Sequence, residues 1–269
     1  MQVAHHGEST VRTEGCDVRG RLPLLPAGKK TGVLLLHGFT SSLAAVSGLT
    51  PILEANGMEY EMPVLRGHGA APEALIGVRA QDWYDDAYAA LEKLSQRVDK
   101  IVIVGLSMGG LTALQLCART HELRPKIAAC VTWAAALGFC NPLAWMAKPL
   151  SHFIKMWRGQ DSFHDPECRK NNENYPVFPT KAFVELYDYA ADTRKRLDDV
   201  EVPLCIIHSM RDQVVPYKTS KFLFDNAGGA FCERHSLARS GHELGQDCEA
   251  SHVFELTMDF INRLTGKSE

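Results

Sequence analysis

One stretch restricts the possible folds more than any other: Ile101-Val102-Ile103-Val104-Gly105-Leu106-Ser107-Met108-Gly109-Gly110-Leu111-Thr112-Ala113-Leu114. Four consecutive β-branched residues describe a strand buried on both faces, which requires a sheet covered by helices on each side. The Leu- and Ala-rich residues 111–117 describe the helix that follows. Between them stands Gly-x-Ser-x-Gly. A chain that reverses from strand to helix in so few residues needs neighbours without Cβ atoms, which accounts for Gly105 and Gly109. The turn lifts the Ser107 hydroxyl clear of the sheet, and the free N–H groups of the first helical turn point at whatever that hydroxyl attacks.

The rest of the chain repeats the alternation. Val33-Leu34-Leu35-Leu36 is a second buried strand, and it opens into His37-Gly38-Phe39-Thr40-Ser41-Ser42. A helical segment over residues 49–56 is closed by Gly57. Residues 59–64 are expected to form a strand that leaves through Leu65-Arg66-Gly67-His68-Gly69, where His68 reads as a loop residue rather than a catalyst. Residues 81–97 carry a helical apolar stripe of Trp83, Tyr84, Ala87, Tyr88, Leu91 and Leu94, read as core. Further strands are expected at residues 126–133, 202–209 and 231–237, with a last helix over 251–264. Strands alternating with helices predict an α/β fold with a mostly parallel sheet, whose ligands sit at the carboxyl ends of the strands.

The stretch 137–192 breaks the pattern. It shows no strand-like run, is interrupted by five prolines, and gathers Phe139, Trp145, Met146, Trp157, Phe178 and Phe183. It is expected to be an inserted helical cap that roofs an apolar pocket, with Trp145, Met146 and Trp157 as candidate substrate-binding residues. The core is then residues 1–136 and 193–269. Its first 30 residues form an N-terminal extension and an edge hairpin, marked by Pro23, Pro26 and the Gly28-Lys29-Lys30 turn.

Composition narrows the partners. A net charge of −3 without a basic cluster argues against nucleic acid. No apolar run is long enough to cross a bilayer, and residues 1–17, with His5, His6, Glu8, Arg12 and Glu14, lack a signal-peptide core. A cytoplasmic protein is expected. The eight cysteines are scattered and read as free thiols of a reducing compartment, and without zinc-type Cys/His spacing neither a metal nor a cofactor is implied. Oligomeric state is not legible in these residues.

A serine hydroxyl attacks at neutral pH only with a base in hydrogen-bond reach, usually an imidazole whose tautomer a carboxylate fixes. Among eleven histidines, His242 is best placed, in a Ser-Gly-His loop after the last strand. Asp212 follows the end of a strand and is preferred to Asp192, Asp198 and Asp199, which precede that strand, with Asp225 and Asp247 as weak rivals. Glu243 reads as a charge at a helix start. The order Ser107, Asp212, His242 is the one expected of a strand–turn–helix nucleophile in such a sheet. The oxyanion formed on attack requires two preorganised N–H donors. Met108 supplies one, and Phe39 is the best candidate for the other.

The motifs His37-Gly38-Phe39-Thr40, Arg66-Gly67-His68-Gly69, Gly105-Leu106-Ser107-Met108-Gly109-Gly110, Asp212-Gln213-Val214-Val215-Pro216 and Ser240-Gly241-His242 resemble the α/β-hydrolases of the bacterial carboxylesterase and monoacylglycerol lipase type. The resemblance runs from about Thr31 to the end of the chain and departs in the cap and the N-terminal extension. It implies the α/β-hydrolase fold with a small helical cap, a Ser107, Asp212, His242 triad, an oxyanion hole from Phe39 and Met108, and hydrolysis of short- to medium-chain carboxylic esters, with monoacylglycerols as one candidate class, through an acyl-enzyme. Thioester, amide or carbon–carbon bond hydrolysis on the same site is the alternative, and a non-catalytic binding protein a third. An aminopeptidase would need cap carboxylates to hold an ammonium group. Asp161, Asp165 and Glu167 are present, but Arg158, Arg169 and Lys170 stand beside them.

Overall fold

The computed structural model describes residues 15–170 and 172–267. The strands are β1 (Cys16–Arg19), β2 (Thr31–Leu36), β3 (Glu59–Glu61), β4 (Lys100–Leu106), β5 (Ile127–Trp133), β6 (Met156–Arg158), β7 (Val177–Pro179), β8 (Leu204–Ser209) and β9 (Cys232–Leu237). Seven of them form one sheet in the order β1-β9-β8-β5-β4-β2-β3, while β6 and β7 pair separately. Every neighbour in the large sheet is parallel except β1 against β9. Parallel pairing forces long crossovers, and helices supply them.

The unbroken apolar runs divide by the strand period of two. Val33 and Leu35 of β2 and Val102 and Val104 of β4 pack with the helices Thr50–Ala55 and Ala250–Thr265 on one face. Leu34, Leu36, Ile101 and Ile103 pack with the helices Ala80–Ser95, Met108–Arg119 and Thr180–Lys195 on the other. All of these strand residues are fully buried. Each such side chain contributes about 1.5–3 kcal/mol of burial, so a polar residue at any of them would be costly. From β2 the chain moves one way to β3 and then returns across β2 to β4, so the carboxyl ends of β2 and β4 flank the point where the connections change direction. Parallel sheets hold ligands at such points.

Two local expectations are corrected. Residues 17–30 do not fold back as a hairpin: β1 runs antiparallel to the remote β9, with Cys16 opposite His235 and Arg19 opposite Cys232. Arg19 then anchors the strand by donating to the carbonyls of Phe224, Ala227 and Gly229. Pro23 and Pro26 lack the N–H groups that a returning strand would need. Residues 1–14 of the extension lie outside the described residues. The stretch 137–192 does contain strands, since β6 and β7 pair antiparallel with Trp157 opposite Phe178. Three residues each are too few to show an alternating pattern. The helix Thr180–Lys195 buries Phe183, Leu186, Tyr189 and Ala190 in the core shared with Met108–Arg119, so it belongs to the helical layer over the sheet.

Candidate active site

Ser107 occupies a backbone conformation that its residue type resists. Its φ of 56° and ψ of −111° cost on the order of 1–3 kcal/mol, and the surroundings hold it there. Its N–H donates to the Trp133 carbonyl at 2.8 Å, and its own carbonyl accepts from Leu111 and Ala136, each at 3.1 Å. The turn is too tight for side chains nearby. A Cβ on Gly105 would lie 2.2 Å from the Gly109 oxygen, and one on Gly109 would lie 2.1 Å from the Leu36 oxygen.

Beside the turn runs the loop leaving β2. A Cβ on Gly38 would lie 3.4 Å from that of Ser107, so the loop backbone comes close to the hydroxyl-bearing residue. Among the described residues, no hydrogen bond takes up the N–H of Phe39 or of Met108. The Met108 N–H is free because it opens a helix. Thr40, next to Phe39, has a φ of 63° and is clamped on both sides. It donates its N–H to His68 Nε2 at 3.0 Å, and its carbonyl accepts from the Tyr175 N–H at 2.9 Å. His68 Nδ1 faces the carbonyls of Leu65 and Arg66, so the proton sits there. Burial, reinforced by the neighbouring His37, lowers the His68 pKa to about 3, which keeps Nε2 an acceptor. His37 behaves alike. It accepts from the Leu65 N–H at 3.0 Å, donates to the Gly38 carbonyl, and is lowered to about 4 by burial.

The carboxylate follows β8 and the imidazole follows β9. Asp212 Oδ2 accepts from His242 Nδ1 at 2.8 Å and from His208 Nε2 at 3.1 Å, while Oδ1 accepts from the N–H groups of Val214 and Val215, each at 2.8 Å. Burial alone would raise its pKa, but His242 and His208 outweigh it and hold the carboxyl well below the usual range. Burial also disfavours charge on His242, yet Asp212 and then Glu243 raise its pKa above the ordinary 6.5. With Nδ1–H committed to Asp212, Nε2 is left as the free basic nitrogen. The loop bearing His242 is fastened by carboxylates. Asp247 accepts from the N–H of Gly241 at 2.7 Å, and Glu249 accepts from those of Arg239 and Ser240.

Ser107 and His242 open onto the same cavity of about 320 Å³. One side of it is a contiguous aromatic wall: Phe39 against Phe178 at 5.1 Å between ring centres, Phe178 against Phe183 at 5.8 Å, and Phe183 against Phe139 at 5.0 Å and Trp157 at 5.9 Å. The other side is polar, built around Glu243 with Asn174 and Ser162, and Arg158 and Asp161 also line the cavity. Glu243 is 4% exposed, and its Oε1 accepts from Asn174 Nδ2 at 2.7 Å.

The model of the serine aminopeptidase, S33, family matches residues 28–249. The chain belongs to this family. Members and fold relatives carry several names. The chain is 26% identical to a carboxylesterase of Bacillus subtilis over 90% of its own length and 96% of the relative's. It is 27% identical to a thermostable monoacylglycerol lipase of Bacillus sp. strain H-257 over 92% and 96%. A solved structure described under LipS and LipT, two metagenome-derived lipolytic enzymes, superposes with a TM-score of 0.81 at 27% identity and covers 91% of this chain and 98% of that one. The S33 chain has the α/β-hydrolase fold.

Within this S33 framework the structure brings Ser107, Asp212 and His242 to one rim, with the Phe39 and Met108 N–H groups beside Ser107. Trp157 lines the cavity, but Trp145 and Met146 do not; Trp145 is 69% exposed on the outer side of its short helical turn. Glu243 is not at a helix start, since the last helix begins at Ala250. It is a buried wall of the site. Asp247 serves the His242 loop and Asp225 pairs with Lys221 on the surface. His37, His68, Tyr175, His208 and Glu243 went unrecognised in sequence. Only the glycines flanking His68 signalled a constrained loop. Cys205, Glu233 and His235 approach one another at the opposite ends of β8 and β9, but Arg263 donates to both Glu233 oxygens at 2.8 and 2.9 Å, which fills the place a cation would take.

Proposed function

We propose that the protein is a serine carboxylic ester hydrolase acting on small-molecule esters with a short- to medium-length apolar acyl chain and a polar alcohol portion. The observation that carries this is a buried Asp212–His242 pair opening, together with a strained serine, onto a cavity that is aromatic on one side and polar on the other. In this reading His242 Nε2 removes the Ser107 proton as Oγ attacks the ester carbon. The Phe39 and Met108 N–H groups receive the oxyanion, and the imidazolium passes its proton to the departing alcohol. Water repeats the sequence on the acyl-enzyme. At roughly 30 Å³ per methylene-sized group, 320 Å³ holds about ten heavy atoms, which supports the chain-length range. The carboxylesterase and monoacylglycerol lipase named above support the reaction class. Residues 137–179, with β6 and β7, form the cap over the aromatic wall. No helix among the described residues is long and apolar enough to cross a membrane. The eight cysteines are unpaired, which supports a reducing, cytoplasmic setting.

The test is labelling by a fluorophosphonate and hydrolysis of a p-nitrophenyl ester series, alongside a thioester and an aminoacyl anilide. Ser107→Ala is expected to abolish labelling and to lower kcat by about 10⁶-fold. Unchanged hydrolysis by that variant, or far faster turnover of the thioester or anilide than of any ester, would overturn the proposal.

A further inference from the structure

The cap meets the loop of the base histidine along a seam. Gln160, Asp161 and Ser162 line the cavity from one side of it, His242 and Glu243 from the other. Hydrogen bonds hold the two sides together. The Ser162 carbonyl accepts from the His242 and Glu243 N–H groups at 2.7 and 3.2 Å, and Asp247 accepts from the His164 and Asp165 N–H groups at 2.6 and 3.1 Å. Each side also carries a thiol at this junction. Asp165 caps the short helix Pro166–Arg169, which holds Cys168, and Cys248 follows Asp247 directly. One oxygen, Asp247 Oδ1, accepts both the Asp165 and the Cys248 N–H, so those two nitrogens lie within about 6 Å of each other. Cys168 is one helical turn beyond Asp165, whose carbonyl accepts from the Arg169 N–H, and residues one turn apart share a face. Arg169 pairs with Asp161 at 2.5 Å, which ties the helix to the polar wall of the cavity. Cys168 and Cys248 are free and half-buried, whereas Cys117, Cys130, Cys205 and Cys232 are enclosed in the core, and the exposed Cys16 and Cys140 stand elsewhere, on β1 and beside Asp212.

We propose that Cys168 and Cys248 form a redox latch across this seam: a small-molecule disulfide such as glutathione disulfide joins them, and reduction frees them. One cysteine thiolate attacks a sulfur of the reagent and displaces a glutathione thiolate. The other then attacks the mixed disulfide and displaces the second. The reagent is reduced to two thiols, which take up the two protons, and the cysteine pair is oxidised to one disulfide. The two thiols already lie in one electrostatic neighbourhood. Burial, then Asp165, Asp247 and Cys248, raise the Cys168 pKa; burial, with Asp247 and Glu249, raises that of Cys248 against the Ser240 hydrogen bond. Neither sulfur is then a good leaving group, so the disulfide, once formed, resists cleavage. Hydrogen bonds along the seam can part and re-form, whereas a covalent link fixes the polar edge of the cavity against the His242 loop. Substrate and product that pass between the two sides are then slowed. The latch goes beyond the ester-hydrolase reading, and only its activity readout rests on that reading.

The experiment incubates the folded protein with glutathione disulfide and follows three quantities: the peptides joined by disulfides, by mass spectrometry; Tm; and kcat/KM for a p-nitrophenyl ester. The oxidised wild type is expected to yield a peptide joining Cys168 to Cys248. Its Tm should rise by about 5 °C, because the link closes a loop of about 80 residues in the unfolded chain. Its kcat/KM should fall by about 5-fold, and dithiothreitol should reverse all three changes. Cys168→Ser, at a half-buried position of the cap, should keep the activity of the reduced wild type and show none of these responses; Cys248→Ser is the second control. Absence of the Cys168–Cys248 peptide in oxidised wild type, a Tm that falls on oxidation, a linked protein with unchanged kcat/KM, or an equal loss of activity in Cys168→Ser overturns the latch while leaving the ester hydrolase standing. A reduced wild type that neither hydrolyses the ester nor takes up a fluorophosphonate sinks the ester-hydrolase reading instead, and the joined peptide and the Tm still decide whether the two cysteines pair.

Discussion

Replacing Asp212 by Asn tests whether the carboxylate acts by fixing a tautomer. The amide has the same shape but one acceptor oxygen, and four N–H donors converge on this side chain. Two of them, from Val214 and Val215, are main-chain groups that cannot change protonation, so the amide oxygen must take the Oδ1 place at 2.8 Å from both. The NH2 group then faces His242 Nδ1 and His208 Nε2. His242 can avoid a donor–donor clash only by moving its proton to Nε2, the nitrogen that must deprotonate Ser107. His208 has no such exit, because its Nε2 also faces the Val215 carbonyl at 3.3 Å. We expect kcat for a p-nitrophenyl ester to fall on the order of 10⁴-fold, about 5 kcal/mol of transition-state stabilisation. The frustrated donor at His208 should cost a further 1–3 kcal/mol or so of stability, which in a chain of this length lowers Tm by roughly 2–10 °C. Steady-state kinetics, near-UV circular dichroism and a thermal melt read all three quantities. A folded Asp212→Asn protein with kcat within about 30-fold of the wild type would refute the argument.

Two further outcomes follow from the site. Because Asp212 and Glu243 raise the His242 pKa above 6.5 and the base must be neutral, kcat/KM should rise with pH through a midpoint above 6.5; a midpoint at or below that value in the pH–rate profile would contradict the assignment. His68→Phe removes the acceptor for the buried Thr40 N–H and should reduce kcat by about 10-fold or more with little change in KM, since the displaced Phe39 N–H serves the oxyanion rather than ground-state binding; a KM effect with unchanged kcat would show that His68 only shapes the pocket.

The loop bearing Phe39 and the loop bearing His242 are braced by one segment. Tyr175, carried between β6 and β7, donates to the Thr40 carbonyl, stacks on His68 and accepts the Ala70 N–H through its hydroxyl. The same stretch supplies Asn174 to Glu243. The segment over the cavity therefore braces the oxyanion loop and the imidazole loop at once, which couples what binds under it to the geometry of attack.

The local chemistry of the chain was written in its order of residues. β-branched runs with apolar residues at every position can only be strands covered on both faces, and Gly105 and Gly109 are required wherever a strand meets a helix so closely that a Cβ would lie within about 2 Å of a carbonyl oxygen. Ser107, Asp212 and His242 were legible because each stands at the end of such a run, and strand ends of a parallel sheet share one edge. What pairs across long separations was not legible. β1 finds β9 rather than a hairpin partner, β6 and β7 are too short to carry a period, and Trp145 faces outward while Trp157 faces the cavity, because a single residue carries no direction until its element is packed. Only the tertiary structure turned His68 into the acceptor that clamps Thr40 and Glu243 into a buried acid. Desolvation and hydrogen-bond partners arise from neighbours distant in the chain, and these decide what an ionisable side chain does.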